Sequence, residues 1–72
     1  MISYQYLPFK IQYLLEEATY HQEKTAVEIY RSIVNTMGMA SDRATAVACG
    51  VSEELVEMIH ELHDNAEMGE DL

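Results

Sequence analysis

Between Pro8 and Gly38 the apolar residues return every three or four positions, with no glycine or further proline between them. That spacing belongs to helices rather than strands. At about 100° per residue they fall on two stripes. One carries Ile11, Leu15, Ala18, Ala26, Ile29, Ile33 and Met37, and the other, nearly opposite, carries Phe9, Tyr13, Tyr20, Val27 and Val34. The favoured reading is one long helix over residues 8–37, with Pro8 in its first turn and Gly38 just past its end. The alternative is a break near residues 22–25, because Thr25-Ala26-Val27-Glu28 has the form of a capping box and the stretch from Tyr20 to Lys24 is polar.

Beyond Gly38 each boundary carries its own punctuation. Ser41 is placed to cap a short helix over residues 41–49, Gly50 to end it, and Ser52 to cap a final helix over residues 52–67. In that final helix Leu55, Ile59, Leu62 and Ala66 face inward, flanked by Val56 and Met58, while Glu53, Glu54, Glu57, Glu61 and Asp64 share the opposite face. Residues 1–7, where Ile2, Tyr4 and Tyr6 alternate with polar neighbours, read as an extended arm, and residues 68–72 as a polar tail. The expected fold is therefore all-α: a single small helical domain over residues 1–72, with its last two helices in a helix-turn-helix-like arrangement.

A chain of 72 residues has a thin core, because so small a domain buries only about 60% of the surface its unfolded chain exposes. Two apolar stripes on one helix exceed what such a domain can cover. The stripe holding Tyr13, Tyr20, Val27 and Val34 is accordingly expected to meet a second copy, making a homodimer. Disulfide support is excluded, since Cys49 is the single cysteine. No window approaches the roughly 18 uncharged apolar residues of a membrane span, and no signal-peptide pattern opens the chain, so the expected location is cytoplasmic.

Charge sharpens the picture. The net charge is −9, and its distribution is uneven. Residues 1–50 hold five acids against four bases, a balance of −1, whereas residues 51–72 hold eight acids and neither Lys nor Arg, a balance of −8. An acidic pole repels phosphate backbones and anionic membranes and attracts basic protein surfaces. Direct nucleic-acid and membrane partners are thereby disfavoured.

Three constellations bear on chemistry. Residues 45–59 resemble a helix-turn-helix, with small Ala46 in the first helix, Gly50 at the turn, Val51 after it, and Val56 and Ile59 inward on the second. The would-be recognition helix, however, offers Glu53, Glu54, Glu57 and Glu61 where phosphate contacts call for Lys or Arg. Glu57, His60 and Asp64 lie at i, i+3 and i+7, a spacing by which helical bundles present metal ligands, yet the same spacing serves an ordinary solvated acidic face. Cys49 precedes the turn glycine at a position expected to be buried, where a thiol acts as a small apolar group. No Ser/His/Asp arrangement, phosphate loop or zinc-type cysteine cluster is present.

The expectation is a non-enzymatic regulatory or inhibitory module, without cofactor, whose Glu53, Glu54, Glu57, Glu61 and Asp64 face binds a basic partner. A nucleic-acid-binding protein whose phosphate site it occupies is one such partner. The alternatives are a metal-binding helical assembly using Glu57, His60 and Asp64, and a degenerate helix-turn-helix transcription regulator.

Overall fold

The computed structural model describes residues 6–67, and every described element is helical: α1 (Phe9–Gln22), α2 (Ala26–Met37), α3 (Asp42–Cys49) and α4 (Glu53–Glu67). The first five residues of the expected arm and the whole of the expected tail lie outside the described residues. No described helix is long and apolar enough to cross a membrane.

The continuous helix over residues 8–37 is not observed. The chain breaks at Glu23, which takes the left-handed conformation (φ 56°) while its N–H still bonds the Thr19 carbonyl. Thr25 then starts α2 through a complete capping box. The Glu28 N–H donates to Thr25 Oγ1 at 3.1 Å, and the Thr25 N–H donates to Glu28 Oε1 at 3.2 Å. The reason is tertiary. A straight 30-residue helix would run about 45 Å at 1.5 Å per residue, longer than the 35 Å greatest extent of the molecule. Folding back lets Ile11 and Leu15 of α1 meet Ile29 and Ile33 of α2 in one core. The burial of four large side chains outweighs a left-handed glutamate that costs about 1–2 kcal/mol.

The other boundaries follow local chemistry. Ser41 Oγ accepts the Ala44 N–H and Ser52 Oγ accepts the Leu55 N–H, each at 3.2 Å, so two serines satisfy donors that the starts of α3 and α4 would otherwise leave unpaired. Gly50 ends α3 in the left-handed region (φ 71°), and its N–H is shared between the carbonyls of Ala46 and Val47.

All four helices feed one core. Ile11, Leu15, Ile29, Ile33, Leu55, Val56 and Ile59 are almost wholly excluded from solvent, and Ala18, Ala26, Met37 and Leu62 pack at its margin. The first stripe and Leu55, Ile59 and Leu62 of the last helix therefore form the core and its margin, as expected, while the inward placement of Ala66 lies outside the described side chains. Three burials depart from expectation. Leu7, placed in the arm, is buried; it closes the core beneath the start of α1, where Gln12 Nε2 donates to its carbonyl at 2.6 Å. Tyr30 and Thr45 are also buried. Cys49, by contrast, is only half-buried, with its thiol 3.9 Å from Thr36 Oγ1.

Candidate functional site

The feature that dominates the surface is the outer face of α4. Leu55, Val56 and Ile59 must point into the core, and at about 100° per residue this turns Glu53, Glu54, Glu57, Glu61 and Asp64 into a single arc about 100° wide on the far side. All five are exposed. Packing thus orients the charges.

Within the arc the carboxylates are not equivalent. Glu54 meets Lys10 of α1 at 3.2 Å and Glu53 meets Arg43 of α3 at 3.8 Å. Both pairs are solvated, where such contacts contribute less than about 1 kcal/mol, but each carboxylate's field is partly cancelled. Asp64 faces His60 Nε2 at 3.7 Å. Among the described residues, Glu57 and Glu61 have no ion-pair partner, so the uncompensated potential is centred on them.

His60 lies at the edge of this face and connects two helices. Its Nδ1 is 2.9 Å from Asp42 Oδ1 in the first turn of α3. The hydrogen bond to Asp42, with the attraction of Asp42 and Asp64, holds the imidazolium form above its ordinary range despite some desolvation. The metal-ligand reading of Glu57, His60 and Asp64 meets a different arrangement, in which the two ring nitrogens face Asp42 and Asp64. Among the described residues no group of three or more His, Cys, Asp or Glu side chains converges as a metal site.

Beside His60 a cleft of about 250 Å³ opens between the end of α2 and α4, lined by Val34, Met37, Gly38, His60, His63 and Asp64. His63 closes one wall through a 2.8 Å hydrogen bond between its Nε2 and the Tyr30 hydroxyl, and burial raises the Tyr30 phenol above its usual range. No family model matches the chain, and no curated protein or solved structure matches it.

The break between α1 and α2 separates the four residues expected at a dimer interface. Tyr13 and Tyr20 stand exposed on α1, whereas Val27 and Val34 are half-buried on α2, with Val34 packed against the core. They do not form the single helix face that the continuous reading gave them. Lys10 and Arg43 as partners of the acidic face, and Asp42 as partner of His60, had no signal in the spacing, because each comes from a different helix.

Proposed function

We propose that the chain is a non-enzymatic regulatory or inhibitory interaction module whose α4 docks on a basic surface of a partner protein. The observation that supports the reading is the exposed arc of Glu53, Glu54, Glu57, Glu61 and Asp64 on a core-anchored helix that carries neither Lys nor Arg, with Glu57 and Glu61 unpaired among the described residues. A rigid helix holds carboxylates at set spacings without an ordering cost on binding. The local field steers a basic partner into contact and rejects an acidic one. A protein that grips phosphates with Lys and Arg fits such a face chemically, because the carboxylates can stand where phosphates would.

The bend of α3, Gly50 and α4 resembles a helix-turn-helix, but the five carboxylates on the outer face of its second helix turn the unit toward basic protein rather than DNA. Octa-arginine serves as a test probe. In an amide-resolved NMR titration, shifts should centre on residues 53–64 and disappear when salt is raised from about 0.1 M to about 1 M. Shifts of equal size around Glu16, Glu17, Glu23 and Glu28 would overturn the assignment to α4.

A further inference from the structure

The core-facing side of α1 is settled by Ile11 and Leu15, both buried, and the side turned away from it is aromatic. Phe9, Tyr13 and Tyr20 are 85%, 57% and 86% exposed. Spaced by four and seven residues, they fall within an arc of about 40° along roughly 16 Å of helix. A chain of this size rarely leaves three large rings in one line facing water without a use for them.

We propose that this stripe is the interface of a homodimer in which α1 packs antiparallel against α1 of a second copy. The inference is separate from the α4 reading and shares with it only Lys10, which pairs with Glu54 within each copy. The area of the stripe sets the occupant. Aromatic side chains bury about 150–250 Å² each, so three of them, partly covered in the monomer, supply roughly 500 Å² per copy. A standard interface buries about 800 Å² per partner, and the polar rim of Gln12, Glu16 and Glu17 is placed to supply the remainder. A twofold axis makes the stripe its own complement.

Charge sets the direction. Lys10 lies at one end of the stripe and Glu16 and Glu17 toward the other. Parallel packing would set like charges together, whereas antiparallel packing brings each Lys10 toward the partner copy's acids and each Phe9 ring toward the far Tyr20 ring. Because each copy carries −9, salt relieves the repulsion between them. Dimerisation therefore holds or tightens as salt rises, opposite to binding through α4.

Sedimentation equilibrium of the full chain at micromolar to high-micromolar concentration should give twice the 8.2 kDa chain mass. Phe9→Glu with Tyr20→Glu should reduce it to the chain mass with unchanged far-UV circular dichroism. Val47→Glu, which alters a side chain 78% exposed on α3, should leave the dimer intact. A mixed sample of isotope-labelled and unlabelled wild-type chains should show intermolecular NOEs between Phe9 and Tyr20, a readout that needs no variant. A wild-type monomer throughout, which would leave the stripe to a different protein, overturns the proposal. So does a dimer that survives the double substitution in a folded chain, or intermolecular NOEs confined to other helices.

Discussion

Replacing Gly50 by alanine tests how α3 is joined to α4, the joint that sets the direction of the acidic face. Three effects meet there. An L-residue in the left-handed region costs about 1–2 kcal/mol, while the stiffer unfolded chain returns about 0.4–1 kcal/mol. The added Cβ would also stand 2.7 Å from Gln22 Nε2, the atom that donates to the Gly50 carbonyl. Gln22 is the end of a flexible side chain and can withdraw, losing a hydrogen bond worth a net 0.5–1.5 kcal/mol or so. The expected destabilisation is about 1–2 kcal/mol, which lowers the melting temperature by roughly 4–8 °C per kcal/mol in a domain this small. Urea denaturation followed by far-UV circular dichroism measures it. In a Gln22→Ala background the contact is already gone, so Gly50→Ala should cost only about 0.5–1 kcal/mol, from the backbone alone. A cost near zero in both backgrounds would refute the left-handed joint. Equal, substantial costs in both would refute the role given to Gln22.

Further outcomes follow from single features. Thr45 is fully buried and, among the described residues, its hydroxyl has no hydrogen-bond partner, so Thr45→Val, of nearly the same shape, should stabilise by about 1 kcal/mol in urea denaturation; destabilisation would contradict the unpaired hydroxyl. Glu23→Gly should stabilise by about 0.5 kcal/mol, as relief of left-handed strain slightly exceeds the added unfolded-state entropy, whereas a loss above 1 kcal/mol or so would place the α1–α2 break elsewhere. His60 binds its proton more tightly in the folded state than its ordinary value of 6.5, so its contribution is complete below that value and lost as pH rises through the raised one. Stability should therefore fall as pH rises above about 6.5, and Asp42→Asn should flatten that slope; an unchanged slope would dismiss the Asp42 contact.

The local punctuation was legible because it depends on near neighbours. Thr25 with Glu28, Ser41, Gly50 and Ser52 each mark a boundary that the structure uses. The core stripe was legible because helical spacing alone places Ile11, Leu15, Ile29, Ile33, Leu55 and Ile59 on inward faces. The choice between one helix and two was not, since residues 20–24 hold no glycine or proline and the fold-back is driven by burial between α1 and α2. Tyr30 could have been found. It lies four residues after Ala26, three before Ile33 and seven before Met37, so helical spacing puts it on the core stripe. The contacts of Asp42 with His60 and Lys10 with Glu54 join residues distant in sequence, and no spacing rule reaches them. The acidic arc was readable as a pattern, but its centre was not, because cancellation at Glu53 and Glu54 comes from other helices.

That shift of centre decides how the α4 face is best tested. Glu54 is already offset by Lys10, so the informative variant is Glu57→Lys with Glu61→Lys, compared with Glu23→Lys and Glu28→Lys, which change net charge equally around the α1–α2 break and leave both α4 and the aromatic stripe of α1 untouched. Each tagged, folded chain is used to capture proteins from the native cell, with quantitative mass spectrometry of what is retained. Basic proteins should be retained by the wild type and by the α1–α2 variant, lost by the α4 variant, and released as salt approaches about 1 M. Equal retention by the α4 variant, or equal loss from both variants, would contradict a docking face on α4.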